Sequence, residues 1–398
     1  MSENNQPRDI SIIITYRCQM RCKMCNIWEN PTDKKREITA KELEFLPNFK
    51  TVNITGGEPF VRKDLDEIVE VMSRKSKEVV ISTSGWHTGR ILELAKRFPN
   101  IGIRVSIEGL SVNNDDLRGR NGGFDRAIKT LLGLKQMGIK NIGFGITVSN
   151  NNSDDLLPLY ELSHSLGFEF STATFHNSFY FHKNDNEVLN KDVVVTNFEK
   201  LINRLMSESK PKSWFRALFN LGLVNYIKGK PRMLPCEAGS TNFFIYPYGD
   251  VFPCNGLEEK YWLESMGNIR DYDSFDELWN SKQSKKVREM VRVCPKNCWM
   301  VGTAAPVIKK YIWKTGPWVV KNKIASLLGK KISIENIPTF PVGQDPKQGN
   351  LLADNVNEIA DRNFKIKEVP IRFSGDFDED NVLVAVSDSS VKQAKELG

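Results

Sequence analysis

The sequence predicts an α/β fold built on a parallel β-sheet, and three observations support this prediction. Runs typical of strands alternate with amphipathic runs typical of helices six times within the first 175 residues. The strand-like runs are rich in β-branched residues and are bounded by Gly, Asn or Ser. Successive β/α repeats are joined by right-handed crossovers, so their strands lie parallel. Such a sheet is either open or curled towards a barrel, and in both cases ligands bind at the carboxyl ends of the strands.

The six predicted strands are Asp9–Thr15, Thr51–Thr55, Val79–Thr83, Gly102–Ile107, Ile142–Val148 and Phe168–Thr174. Between them, Thr39–Glu42 and Asp64–Glu67 have the spacing of helix capping boxes. Gly138 and Gly167 follow amphipathic runs and are typical of helix ends. These residues delimit several of the helical connections.

The second half of the sequence is organised differently. Residues 192–229 are predicted to be helical, and residues 236–300 combine short strands and turns with a helix around Ser274–Val293. The last segment contains one clear strand signal, Val382–Val386. We therefore expect the regular alternation to end near residue 175.

Composition and charge exclude several classes of protein. Of the 398 residues, 40% are hydrophobic and 26% are charged, which is ordinary for globular proteins. No apolar run approaches the roughly 18–20 residues of a membrane span, and the N-terminus lacks the pattern of a secretion signal. A net charge of +7 is too small at this length to indicate nucleic-acid binding. We expect a cytoplasmic protein that does not bind nucleic acid.

Seven cysteines form two separate groups, which fits a disulfide framework poorly and favours metal ligands in a reducing compartment. The first group, Cys18, Cys22 and Cys25, has the spacing C-x3-C-x2-C and follows the first strand. A closed zinc site requires four ligands. Three thiolates, in contrast, can hold three irons of a [4Fe–4S] cluster and leave the fourth iron open. A zinc knuckle whose fourth ligand comes from elsewhere is the alternative.

Distinctive motifs follow the next strands. Gly56-Gly57-Glu58-Pro59 comes after the second strand. Further segments follow the third, fourth and fifth strands: Thr83-Ser84-Gly85, Ser106-Ile107-Glu108-Gly109, Arg118-Gly119 and Thr147 to Asn150. With the three cysteines, these motifs make roughly residues 9–175 resemble the radical S-adenosylmethionine (SAM) superfamily, in which the second-strand motif is GGEP.

The resemblance implies a partial (β/α)6 TIM-like barrel in which Cys18, Cys22 and Cys25 bind a [4Fe–4S] cluster. The open iron would take the amino nitrogen and carboxylate of SAM, and the GGEP segment would hold the amino group. The residues that the resemblance assigns to SAM binding are Gly56, Gly57, Glu58, Pro59, Ser84, Ser106, Glu108, Arg118 and Thr147. The implied reaction is reductive cleavage of SAM to methionine and a 5′-deoxyadenosyl radical, which removes a hydrogen atom from a substrate.

The second cysteine group has a C-x12-G-x4-C pattern formed by Cys236, Gly249 and Cys254, and Cys294-x3-Cys298 completes it. This group resembles the SPASM and twitch auxiliary-cluster domains, although four cysteines stand where a full SPASM domain has seven. The resemblance therefore implies one auxiliary [4Fe–4S] cluster bound by all four thiolates. A four-cysteine zinc site is the alternative. A free thiol that returns a hydrogen atom to a substrate radical is a further one.

Three regions are expected: a radical SAM core over residues 1–230, whose barrel extends to about 175, a SPASM- or twitch-like α+β domain over 231–300, and an extension over 301–398. The expected function is oxidation or epimerisation of a small or carbohydrate-like molecule, with a flavodoxin or ferredoxin as reductant. A small substrate is favoured because 17 residues precede Cys18, so no N-terminal leader-binding domain is expected. The alternatives are a maturase of ribosomally made peptides and a non-enzymatic iron–sulfur or zinc scaffold.

The charge of the C-terminal region is uneven. Residues 301–334 contain seven Lys and no acidic residue, whereas residues 341–398 contain 11 acidic and seven basic residues. Within the first segment, residues 309–331 have the pattern of a basic amphipathic helix, which can lie on an anionic membrane or dock on an acidic partner. Peripheral membrane contact through 309–331 is therefore one prediction. An ordinary packing helix with its Lys side chains in water is the alternative.

Overall fold

The computed structural model describes residues 6–258, 264–332 and 334–340, and within these residues nine strands form one continuous sheet. The strands are β1 (Asp9–Ile13), β2 (Phe49–Thr55), β3 (Ser76–Thr83), β4 (Gly102–Ser106), β5 (Ile142–Val148), β6 (Glu169–Thr174), β7 (Asn242–Ile245), β8 (Asp250–Phe252) and β9 (Gly267–Asn268). Their order across the sheet is β6-β5-β4-β3-β2-β1-β7-β8-β9. Strands β1 to β7 are parallel, and β8 and β9 add antiparallel pairs. The predicted α/β fold with a partial barrel-like parallel sheet is confirmed.

Helices connect the parallel strands and cover the sheet. They are α1 (Ala40–Leu43), α2 (Leu65–Lys75), α3 (Thr88–Arg97), α4 (Ser111–Arg118), α5 (Gly123–Gln136), α6 (Leu156–Leu166), α7 (Lys191–Ser207), α8 (Pro211–Ile227), α9 (Phe275–Asn280), α10 (Lys282–Arg292), α11 (Val301–Lys310) and α12 (Ile312–Leu327). The core lies between sheet and helices, where side chains such as Ile12, Ile103 and Leu131 are fully buried. Among the residues described, none of the helices has the length and apolar character needed to cross a membrane.

All six strands predicted in the first 175 residues are present. Strand β5 has the predicted limits, whereas the others begin or end up to three residues away. The early end of β1 shapes the site that follows it. The Thr15 carbonyl oxygen accepts a hydrogen bond from Gly57 N at 2.7 Å, and the Thr15 hydroxyl donates to Glu37 Oε1 at 2.5 Å. The chain therefore leaves the ladder before Thr15 and turns towards the GGEP segment.

The predicted helix ends are confirmed in part. The Thr39–Glu42 capping box is present at the start of α1. The capping box predicted at Asp64–Glu67 is wrong, because its aspartate pairs with the Arg62 guanidinium and makes no cap hydrogen bond. Gly167 ends α6 in the left-handed conformation, and Gly138 does the same just after α5.

Two long predicted helices are each divided. The run 192–229 forms α7 and α8, because Pro211 favours a new helix start and cannot donate the hydrogen bond that would continue α7. The run Ser274–Val293 forms α9 and α10, because the Ser281 hydroxyl caps the start of α10. Local capping chemistry explains both divisions.

The basic C-terminal segment is divided as well. Helices α11 and α12 meet at Tyr311, whose hydroxyl donates to Glu237 Oε1 at 2.7 Å. The segment 309–331 is therefore helical over most of its length but contains a bend at this residue. The predicted strand Val382–Val386 lies outside the described residues.

Strand β7 joins the region that carries the second cysteine group to the sheet whose strand β1 precedes the first group. It pairs in parallel with β1, so that Ile245 lies opposite Ile12. Phe275 and Trp279 of α9 pack on Phe243 of β7 with ring centroids 5.5 and 5.2 Å apart. The second expected region thus extends the core sheet directly.

Candidate functional site

The loop that leaves the carboxyl end of β1 carries the free thiols Cys18, Cys22 and Cys25. Burial raises the pKa of Cys18 and Cys22, and raises that of Cys25 to about 12. The charge of Cys22 also raises the pKa of Cys18 and that of Cys25. Such half-buried thiols ionise when they bind a metal centre, so the loop fits a cluster-binding role.

The end of α4 holds this loop in place. The N–H groups of Arg21 and Lys23 donate to the carbonyl oxygens of Arg118 and Leu117 at 3.1 and 2.9 Å. Gly119 follows with φ of +63°, and a Cβ atom there would clash with the Arg21 carbonyl oxygen. The Arg118-Gly119 segment therefore fixes the position of the backbone of the cysteine loop.

Replacing Gly119 with Ala is expected to displace the cysteine loop and to lower the iron content of the first site. Gly138→Ala is the matched control, because Gly138 has φ of +77° but no atom within 4 Å of the added Cβ. The control meets only the backbone strain of roughly 1–2 kcal/mol. The measurement is iron per chain after anaerobic reconstitution. Equal iron loss in both variants would contradict the role given to Gly119.

The GGEP segment lies directly against the residues that precede Cys18. Besides the Gly57–Thr15 hydrogen bond, Glu58 N donates to the Arg17 carbonyl oxygen at 2.9 Å. A Cβ atom at Gly57 would lie 2.5 and 2.7 Å from the carbonyl oxygens of Arg17 and Tyr16. The glycine is therefore required for close approach of the two backbones. Pro59 then begins a buried helical turn.

The Glu58 carboxylate links the ends of β2 and β3. It is fully buried and accepts hydrogen bonds from the Thr83 hydroxyl and the Ser84 N–H, both at 2.7 Å, and from the Ser84 hydroxyl. Phe60 N–H also donates to it, at 3.2 Å. Glu58 and Ser84 are thus brought together and form hydrogen bonds with each other. In this arrangement they position the segment that carries the two glycines.

Glu108, Arg118 and Thr147 meet beside the cysteine loop. Arg118 Nη1 donates to Glu108 Oε1 at 3.1 Å, and Thr147 N–H donates to Oε2 at 2.6 Å. Burial raises the pKa of Glu108, and the positive charge of Arg118 opposes this increase. Burial alone would lower the pKa of Arg118, but the surrounding negative groups, Cys22 foremost, raise it. Arg118 is therefore a buried permanent cation, and its Nε lacks a hydrogen-bond partner among the described residues.

Ser106 is the last residue of β4 and lies opposite Gly145 of β5. It is half-buried and stands two residues before Glu108. All nine residues assigned to SAM binding therefore lie at or just beyond the ends of β2 to β5 or at the end of α4. This is the edge of the sheet from which the cysteine loop leaves β1.

The second cysteine group converges on one cavity, which is lined by Cys236, Cys254, Cys294 and Cys298. Burial raises the pKa of Cys254, and the other three thiols raise it further. The thiolates of a [4Fe–4S] cluster bind separate irons. Four thiols around a shared cavity fit such a cluster.

Two cationic side chains lie against this cavity. Arg232 donates to the Cys298 carbonyl oxygen, and its Nη1 lies 3.9 Å from Cys298 Sγ. The Arg232 guanidinium carbon also lies 5.1 Å from the centre of the Trp299 ring. Lys296 lines the cavity and pairs with Glu258. Neither cation was predicted from the sequence. The position of Lys296 between Cys294 and Cys298 was a usable signal, whereas Arg232 belongs to no motif.

Replacing Arg232 with Met is expected to lower the midpoint potential of a cluster in the second site. Positive charge and hydrogen bonds to sulfur stabilise the reduced, more negative cluster. Arg288→Met is the matched control, because Arg288 also lies over a Trp ring and donates to a Trp carbonyl oxygen, at 2.8 Å, but that Trp is not next to a cysteine of the second site. The measurement is a redox titration followed by electron paramagnetic resonance. An unchanged potential in Arg232→Met would contradict the effect.

Comparison with known proteins matches a family model to the region of each cysteine group. The model of the radical SAM superfamily matches residues 12–162, which include the cysteine loop and the GGEP segment. The chain therefore contains a radical SAM domain. The SPASM model, described as an iron–sulfur cluster-binding domain, matches residues 236–299 and so includes all four cysteines of the second group. Radical SAM domains bind a [4Fe–4S] cluster and SAM, and SPASM domains bind auxiliary clusters, so the cofactors implied by the sequence are confirmed.

The radical SAM relatives of this chain have diverse functions. Fe-coproporphyrin III synthase of Methanosarcina barkeri is 31% identical over 158 residues, which cover 37% of this chain and 39% of that protein. The subtilosin biosynthesis protein AlbA of Bacillus subtilis is 25% identical over 289 residues, which cover 70% of this chain and 61% of AlbA. The chain thus spans less than two thirds of each.

Solved structures support the fold. The crystal structure of Streptococcus suis SuiB bound to SAM has a TM-score of 0.55 and 17% identity, and the match covers 71% of this chain and 68% of SuiB. At this identity the likeness concerns the fold alone. It agrees with the partial barrel-like fold described above.

Proposed function

We propose that this radical SAM protein is an enzyme that removes a hydrogen atom from a small or carbohydrate-like substrate and oxidises it. The observation that carries the proposal is the placement of the three-cysteine loop against GGEP and beside the Glu108–Arg118 pair. A non-enzymatic scaffold has no need for three thiols that leave an iron open next to a SAM site. The relatives named above include a synthase and a biosynthesis protein.

Cys18, Cys22 and Cys25 would hold the catalytic cluster. When bound, this cluster supplies the electron that cleaves SAM to methionine and a 5′-deoxyadenosyl radical. Arg118 Nε–H faces no acceptor among the described residues and would donate to the SAM carboxylate. Glu58 would orient the glycine turn against which the amino group lies.

A loop after β6 would exclude water from this site. The Tyr180 hydroxyl donates to the Gly56 carbonyl oxygen at 3.0 Å, and Asn26 N donates to the Phe181 carbonyl oxygen at 2.8 Å. Asn186 Nδ2 donates to the Met24 carbonyl oxygen at 3.0 Å. The loop is therefore tied to both the GGEP turn and the cysteine loop. Excluding water protects a radical from side reactions.

The four thiols of the second site would ligate one auxiliary cluster completely, leaving no iron for substrate. When bound, such a cluster would accept the electron that is released when a substrate is oxidised. Arg232 would hold the Cys298 end of the site and favour the reduced state. A flavodoxin or ferredoxin is the proposed reductant.

Complete ligation by four cysteines, as in twitch-type proteins, supports a small substrate. Peptide modification is the second candidate, and two of the similar proteins favour it. AlbA is a biosynthesis protein of the bacteriocin subtilosin, and a structure of SuiB contains the precursor peptide SuiA.

The test uses the reconstituted holoenzyme with SAM, dithionite and an extract of cells grown in deuterated medium. The extract is divided into small-molecule and polypeptide fractions. Deuterium in 5′-deoxyadenosine, measured by mass spectrometry, reports hydrogen abstraction from a component of the fraction. We expect label from the small-molecule fraction. Label from the polypeptide fraction alone would overturn the proposed substrate class in favour of peptide modification.

A further inference from the structure

Helix α12 exposes an apolar face in the described structure. Its members are Trp313, Pro317, Val320, Ile324, Leu327 and Leu328, which we call the apolar stripe. From Trp313 to Leu327 they are spaced by three or four residues, and Leu328, just after the helix, lies four residues beyond Ile324, so all lie on one side. Between 53% and 72% of each of the five non-proline side chains is exposed. Contiguous exposed apolar surface of this kind marks an interaction site.

The opposite face fixes the orientation of α12. Thr315 and Val319 are almost completely buried. Lys323, one turn further on, is buried as well, and its Nζ donates to the carbonyl oxygens of Met206 at 2.9 Å and Glu208 at 2.8 Å, at the end of α7. A cation at the carboxyl end of a helix is stabilised by the helix dipole. Rotation of the stripe into the core would break these contacts, so the stripe faces outwards.

Positive charge borders the stripe. Lys314 and Lys321 each follow a stripe residue by one position and therefore lie along one side of it. Further lysines precede and follow α12: Lys309, Lys330 and Lys331, as well as Lys310, which is paired with Glu237. No acidic residue occurs between residues 301 and 334. Two such surfaces from separate copies would repel each other, whereas an anionic surface complements this one.

We propose that the apolar stripe lies on an anionic lipid membrane surface. The apolar side chains enter the boundary between headgroups and acyl chains, and Lys314 and Lys321 contact lipid phosphates. Trp313 stands at the start of the stripe, and Trp is favoured at this depth of a bilayer. The contact is peripheral. It is independent of the substrate proposed above.

The test is flotation of the reconstituted full chain with two kinds of vesicle, one of phosphatidylglycerol and phosphatidylcholine and one of phosphatidylcholine alone. We expect binding to the anionic vesicles only, and weaker binding as salt is added. Ile324→Ser combined with Leu327→Ser is expected to weaken binding at least about tenfold, since burying one such side chain is worth that factor or more. Lys314→Gln combined with Lys321→Gln is expected to weaken it at low salt.

The matched control is Val112→Ser combined with Leu189→Ser, which removes two apolar side chains that are 79% and 70% exposed elsewhere. These substitutions are expected to leave vesicle binding and SAM cleavage unchanged. Absence of flotation of the full chain with anionic vesicles would overturn the proposal. An equal loss of vesicle binding in the control variant would also overturn it. So would a dimer in solution that the Ile324→Ser and Leu327→Ser substitutions dissociate.

Discussion

Alanine in place of Cys18, Cys22 and Cys25 is expected to abolish formation of 5′-deoxyadenosine from SAM. The three thiols are the proposed ligands of the first site, and no other cysteine lies on that loop. The iron content is expected to fall by about four atoms per chain, the content of one cluster. Both quantities are measured on the same anaerobically reconstituted sample, with dithionite as reductant.

The matched variant replaces Cys236, Cys254, Cys294 and Cys298 with Ala. It is expected to lose about four irons as well, while reductive SAM cleavage without substrate continues. The two variants thus separate cluster loss in general from loss of the catalytic cluster. SAM cleavage that survives in the first variant would contradict the assignment of the cysteine loop.

Replacing Arg118 with Met is expected to have the second largest effect. It removes the cation beside the cysteine loop and leaves the buried Glu108 carboxylate without its ionic partner. Breaking a buried ion pair on one side costs about 3–5 kcal/mol of stability. We expect a lower temperature of thermal unfolding together with weaker SAM binding, measured by calorimetric titration of the reconstituted protein.

The double variant with Arg118→Met and Glu108→Gln separates the two effects. Gln keeps an oxygen that accepts from Thr147 N–H but carries no charge, so no ion remains unpaired. Most of the thermal stability is therefore expected to return. SAM binding is expected to remain weak, because the proposed donor for its carboxylate, Arg118, is still missing. Recovery of SAM binding in the double variant would show that Arg118 acts on stability alone.

Local patterns in the sequence predicted the parallel strands and the order of the motifs well. The period of two or of 3.6 residues is a property of each short segment, so β1 to β6 could be located without knowledge of the fold. Divided helices were harder to predict. The divisions at Pro211 and Ser281 depend on capping within a continuous helical pattern, and the pattern there remains amphipathic on both sides.

The partnerships within the site could not be predicted from sequence. Glu58 meets Ser84 across 26 positions, and Glu108 meets Thr147 across 39. Such pairs depend on the register of neighbouring strands, which the motifs do not encode. Arg232 reaches Cys298 across 66 positions and belongs to no motif. A match to a family motif named most of these residues, but only the fold shows which of them hold one another.

The central claim is that this chain is a radical SAM enzyme with one catalytic and one auxiliary [4Fe–4S] cluster. The most direct test is the content of iron, sulfide and zinc of the anaerobically reconstituted wild-type protein, with SAM cleavage followed on the same sample. We predict about eight irons and eight sulfides per chain, as two such clusters require, and formation of 5′-deoxyadenosine on addition of dithionite and SAM. Protein that retains zinc, takes up no iron and leaves SAM intact would contradict the claim.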